Sequence, residues 1–189
     1  MQWLISFSLG ANMLKIPLLV PLFVSLAAFV EDGTSVAPEA TIRSFYATLA
    51  KPQADLRRAL KAVSPFLSPQ LNKLVRRAWV ADASFRKRFP NEAPPFEHGT
   101  CVFYGGGDCD FSSFKVLRTQ RDGATIKCTM ELALTDRNRP NEPSYRWLNT
   151  VILMMDHNQW VIVDIEVPGG RASESLKRIA KDAQEAIKN

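Results

Sequence analysis

Cysteine is scarce in this chain: three residues in 189, none before position 101. The missing early cysteine excludes a lipobox, and with it lipid attachment at the N-terminus. Cys101, Cys109 and His98 lack the paired short spacings of a structural zinc site, so no metal centre is expected. His98 and His157 are the two histidines. Both fall where the sequence reads as loop or turn, so no histidine-centred dyad is evident. No Gly-x-Ser-x-Gly elbow and no His-Glu-x-x-His pair occurs. The one glycine run, Gly105 to Gly107, leads into Asp108-Cys109-Asp110 without the Lys-Ser/Thr end or following helix of a phosphate loop. A lone Asp-x-Asp is ordinary turn chemistry. No cofactor is implied. Internal repeats and low-complexity segments are also missing, as is any Asn-x-Ser/Thr sequon, which agrees with a bacterial source.

Long apolar runs are nearly absent. The exception is residues 16–30, fifteen uncharged residues between Lys15 and Glu31-Asp32. That falls short of the ~20 residues needed to cross a bilayer but suits a signal-peptide core. Residues 1–37 therefore read as an export signal, with Met13-Leu14-Lys15 as a compact start and Met13 as the initiator. Small residues at Ser35-Val36-Ala37 suit cleavage, although Pro38 would follow the cut; Ser25-Leu26-Ala27 and Ala28 offer an earlier site. The alternative is an uncleaved membrane anchor. Export, to periplasm or medium, permits disulfides. Cys101 and Cys109 bracket the glycine loop and form one pairing; Cys109 with Cys128 is the rival, and each leaves one thiol over.

What the chain has in quantity is apolar patterning and localised charge. At 46% hydrophobic content it can bury one domain core. Its net charge of +5 is uneven: residues 51–90 hold ten basic groups against two acidic ones. Such local basicity selects an acidic partner or an anionic surface.

Helical periodicity covers residues 38–50, with Ile42, Phe45, Tyr46 and Leu49 on one face and Thr41 or Ser35 as cap. A second helix spans about 54–63. A third runs from Pro69 to about Arg88 behind Ser68 as N-cap, with Leu71, Leu74, Val75, Ala78, Trp79 and Phe85 inward. Strand alternation follows at 111–118 and 125–134 around an Asp122-Gly123 turn. The strongest signal is 145–166, two β-branched and aromatic runs joined at Asp156 to Gln159. Pro168-Gly169-Gly170 closes the sheet, and 173–188 forms a final amphipathic helix. Helices followed by a meander predict an α+β fold: N-terminal helices packed on a curved antiparallel sheet, with 38–170 as the domain and 171–189 as an added helix.

Three segments carry a family resemblance: Ile42-Arg43-Ser44-Phe45-Tyr46, Leu67-Ser68-Pro69-Gln70-Leu71, and Asn158-Gln159-Trp160-Val161-Ile162-Val163-Asp164-Ile165. In this order they resemble the nuclear transport factor 2-like superfamily over roughly residues 38–167. The nearest likeness is to a bacterial cell-envelope branch of unknown function. The chain departs from that branch in lacking a lipobox, in its Cys-bracketed triple-glycine loop, and in the helix after Gly170. The resemblance implies a cone-shaped domain, and the superfamily hosts both enzymes and non-enzymes.

Enzymes on that fold place an acid or base inside the cone. Polar groups on otherwise apolar faces are therefore the catalytic candidates: Asp82 or Asp164 as general base, Tyr46 as hydrogen-bond donor. The plainer expectation is a solvated Asp82 and an Asp164 bonded near its strand end. The partner-binding candidates are Arg57, Arg58, Lys61, Arg76 and Arg77, gathered on one side of a helical hairpin. They suit an acidic envelope protein or an anionic membrane surface. Nucleic acid is not expected, because export argues against it and aromatics are not interleaved for stacking. The sequence thus predicts an exported, non-catalytic binding module, with a cone-pocket enzyme of isomerase or dehydratase type as the alternative.

Overall fold

The hairpin expected at 145–166 forms as β3 (Tyr145–Asp156) and β4 (Gln159–Val167). His157 and Asn158 make the two-residue turn, both left-handed at φ 45° and 63°. That is the requirement of a type I′ turn, which asparagine meets at little cost. The computed structural model describes residues 37–51, 56–96, 99–105, 111–135 and 145–188. The export signal, Ser35, His98, Gly106 to Asp110 with Cys109, and the 136–144 loop lie outside the described residues.

Around this hairpin the sheet is a simple antiparallel meander. β1 (Ser113–Asp122) pairs with β2 (Thr125–Leu134), β2 with β3, and β3 with β4. Register shifts at Val116/Arg118 and opposite Ile152/Leu153 insert bulges, which sharpen twist and bend the sheet. β1 begins later than its alternation predicts and runs on to a turn at Gly123-Ala124, where Gly123 has φ 59°. Beyond Val116 it is exposed on both faces, so its alternation marks a strand but not a buried one. The sheet also does not end at Pro168. Pro168 and Gly169 turn the chain back, and β5 (Gly170–Arg171) pairs with Val167 and Glu166.

Among the described residues four α-helices accompany this sheet: α1 (Pro38–Leu49), α2 (Leu56–Val63), α3 (Pro69–Arg88) and α4 (Ala172–Lys188). α1 has no side-chain cap: Ala37 takes that position, Pro38 starts the first turn, and Thr41 is buried inside the helix. At α3 the expected cap is present, with Leu71 N–H donating to Ser68 Oγ at 3.2 Å. The core joins Ile42, Phe45 and Tyr46 of α1 and Leu71, Val75 and Ala78 of α3 to the inner sheet face of Met130, Leu132, Val151, Leu153, Ile162 and Ile165. A second seam of Ala81, Phe85, Ala180 and Ala183 locks α4 to α3. The fold is therefore α+β, helices on a curved antiparallel sheet with a C-terminal helix added.

While Cys109, its expected rival partner, lies outside the described residues, Cys128 is a free thiol buried in β2. Its Sγ donates to Thr119 Oγ1 at 3.5 Å, and Thr119 in turn donates to Glu39 Oε1 at 2.7 Å. Together they tie the start of α1 to the edge of the sheet. Desolvation is the main cause holding the Cys128 thiol above its ordinary pKa.

Candidate functional site

α2 is short, and its sequence splits cleanly by face. Ala59, Leu60 and Val63 turn inward, while Arg57, Arg58 and Lys61 are exposed. Arg57 and Lys61 stand four residues apart, so they project from one side of the helix. A 3-10 turn (Ser64–Phe66) follows, and Leu67 then runs beside β4. Ser68 N–H donates to Ile162 O at 2.8 Å, which fastens this link to the sheet edge. Asn72, one turn into α3, holds the link from the other side. Its Nδ2 donates to the carbonyls of Ser64 and Leu67, both at 2.9 Å.

Between α2, α3 and the β3–β4 end this arrangement leaves a groove of about 620 Å³. Leu60, Leu67, Val75, Trp79, Val80 and Val161 supply its apolar lining, and Arg57, Lys61 and Arg76 its cations. Asp156 is the carboxylate among the lining residues, 3.7 Å from the exposed His157. Among the described residues Arg57, Lys61, Arg76 and Arg77 form no ion pair. Other arginines do: Arg86 with Asp82, Arg146 with Glu131, Arg171 with Glu166.

Three of the five expected partner-binding residues thus meet at one groove. Arg77 lies on an adjoining groove of about 580 Å³ between α3 and α4, which shares Arg76 and Val80 with the first. Arg58 is exposed but lines neither. Sequence reasoning missed the apolar half of the site. Trp79 reads as plain core, yet it is half-buried, and Val80 is 63% exposed. The available signal was Val80 itself, an apolar residue off the buried face of α3.

The three catalytic candidates fall into three separate hydrogen-bonded sets. Tyr46 is fully buried, its hydroxyl donating to Phe103 O at 3.4 Å and accepting from Asn149 Nδ2 at 3.2 Å. Burial pushes its pKa above the ordinary tyrosine value. Rings of Phe45, Phe111 and Phe114 pack directly against it, filling the space between α1 and the sheet. Asn149, a functional candidate that its local sequence does not announce, shares strand parity with Trp147 and Val151 and faces inward with them. Its Nδ2 donates to Tyr104 O at 2.9 Å, beside Trp147 Nε1 donating to the same oxygen at 2.6 Å.

Asp82 is not solvated. Its side chain is 1% exposed, accepting from Arg86 Nε at 2.8 Å and Phe96 N–H at 3.0 Å. The carboxylate pins the segment after α3 back onto that helix. Asp164, on β4, accepts from Ile165 N–H at 2.9 Å, Ser173 N–H at 3.0 Å and Ser173 Oγ at 2.7 Å. It serves the orphan Ser173 amide at the start of α4, where a carboxylate also interacts favourably with the positive end of the helix dipole. No hydrogen bond links Tyr46, Asp82 and Asp164 to one another among the described residues. No group of His, Cys, Asp and Glu that could hold a metal occurs among the described residues. No helix among the described residues is long and apolar enough to cross a membrane. Comparison with known protein families, curated proteins and solved structures finds no match to this chain.

Proposed function

We propose that this protein is an exported, non-catalytic binding module of the cell envelope, working through the α2–α3 groove on an anionic partner. One observation carries the reading: Arg57, Lys61 and Arg76, all exposed and outside any ion pair among the described residues, line one groove over an apolar floor. Exposed cations left without carboxylate partners lose little by accepting an external anion, and arginine does so in bidentate geometry. An apolar cleft with a few convergent polar groups is the usual form of a binding site.

Supporting the export half are the apolar run at 16–30 and Lys15 before it. Because Cys128 is a free buried thiol, the bridge proposed for the exported form is Cys101–Cys109. The helix order and bent meander suit a nuclear transport factor 2-like domain, and we keep that assignment as part of the proposal. Against the cone-pocket enzyme stands the interior itself: Tyr46 is enclosed by aromatic rings, and the carboxylates of Asp82 and Asp164 serve backbone amides.

In-cell cross-linking with mass spectrometry tests the reading, on the tagged full chain beside an Arg57/Lys61/Arg76→Glu variant. An envelope component captured by the wild type and lost from the variant is the expected outcome. Identical capture by both forms contradicts a working role for the groove.

A further inference from the structure

The groove combines two chemistries, apolar surface and positive charge. Leu60, Leu67, Val75 and Val161 form a buried apolar floor, with Trp79 half-buried and Val80 exposed beside them. Arg57, Lys61 and Arg76 bring three positive charges to the same space, where Asp156 is the carboxylate among the described lining residues. A purely polar anion would leave Val80 and the open part of Trp79 in water, and a neutral apolar ligand would bury the cations without a counter-charge, which is costly. The complement of both halves is an amphiphile with one anionic head.

The volume of about 620 Å³ falls in the ~300–1,000 Å³ range of small-molecule sites. Sharing Arg76 and Val80 with the α3–α4 groove, where Ile187 and Ala81 continue the apolar surface, gives a chain room to extend. Asp156 brings a negative charge to the lining. The three cations outnumber it, so the lining keeps a net positive charge and accepts an anionic head, and a carboxylate matches the planar fork of arginine in bidentate geometry.

We infer that the α2–α3 groove binds a long-chain carboxylate, its head on Arg57, Lys61 and Arg76 and its tail across Trp79 and Val80. The inference rests on the binding-module reading above and names its ligand class.

Calorimetric titration of the full chain with laurate, below its micelle concentration, tests it. Butyrate supplies the head without the tail, and dodecyl maltoside the tail without the charge. The expected result is saturable laurate binding that neither control reproduces. Reversal of Arg76 alone (Arg76→Glu) weakens it about tenfold, the loss of one charge-assisted contact. Asp156→Asn strengthens it several-fold, an effect that binding to the apolar run at 16–30 cannot produce. These positions are exposed or half-buried, so circular dichroism of the variants should match the wild type; the gain in Asp156→Asn does not depend on a damaged fold. Equal binding of dodecyl maltoside, or laurate binding indifferent to Arg76→Glu and Asp156→Asn, overturns the inference. Binding of an acidic peptide but not laurate, lost in Arg76→Glu, overturns the amphiphile and leaves the binding module standing. If the groove variants change neither ligand's binding, both readings fall.

Discussion

Tyr46 shows what a buried polar residue contributes here. Its hydroxyl, Asn149 Nδ2 and the carbonyls of Phe103 and Tyr104 make a small network sealed by aromatic rings. Replacing Tyr46 by Phe removes the hydroxyl but leaves Asn149 bonded to Tyr104 O, so the expected loss is roughly 1 kcal/mol by urea unfolding. The pH dependence follows from the same burial. Tyr46 and Cys128 both titrate higher in the fold than in the open chain, where their values are 10.0 and 9.0. The folded state therefore holds protons that the unfolded state releases, and stability falls as pH rises above about 9. Tyr46→Phe and Cys128→Ala should each flatten that alkaline decline in thermal melts; an unchanged slope in both would assign the decline elsewhere. Asp82 teaches a related lesson. Helical periodicity places it beside Ala78 and Phe85, but its partner, Phe96 N–H, lies fourteen residues on. A pairing made by the return of a loop leaves no trace in local spacing. Asp82→Ala should cost about 1–3 kcal/mol, because it strands a buried amide.

At the scale of elements, turns and caps are where the sequence speaks most clearly. Ser68 before Pro69 announces the start of α3, and the structure places its Oγ on Leu71 N–H. The β3–β4 turn was legible from Asp156, Asn158 and the flanking strands, though not that His157 would carry a positive φ. His157, unlike Asn158, has no easy access to the left-handed region, so His157→Asn should raise stability by about half a kcal/mol; a lower melting temperature would show that the His157 side chain matters to the turn. Gly105 is fixed differently. A Cβ there would stand 3.0 Å from Pro168 Cδ and 3.1 Å from Val167 Cβ, and φ is 58°. α4 depends on a residue from another element. Asp164 accepts both the amide and the hydroxyl of Ser173, so Asp164→Ala should loosen the first turn of α4. Hydrogen exchange would then quicken in residues 172–176 before it does in β2 or β3. Exchange that speeds uniformly would instead mean global destabilisation. The aspartate's role was half visible: the strand pattern put it among apolar neighbours near a strand end, but the helix it caps starts eight residues later.

For the whole molecule, the α+β order was readable because each element carries its own periodicity and each turn its own residues. The curvature was less readable, since it comes from bulges at Val116/Arg118 and Ile152/Leu153 that break register without breaking alternation. The groove was legible only in its charges. Its floor is assembled from α2, α3 and β4 through the docking of Leu67 beside Ile162, a contact between residues far apart in the chain. That same assembly separates the cationic site from Tyr46 and its buried network, so the two can be tested independently. The most direct measurement is native mass spectrometry of the tagged protein released gently from its own cells. Three forms are compared: wild type, Arg57/Lys61/Arg76→Glu and Tyr46→Phe. The account predicts a bound component on the wild type and on Tyr46→Phe, missing from the groove variant. A component that survives charge reversal but is lost in Tyr46→Phe would contradict it, and would move the working site into the interior between α1 and the sheet.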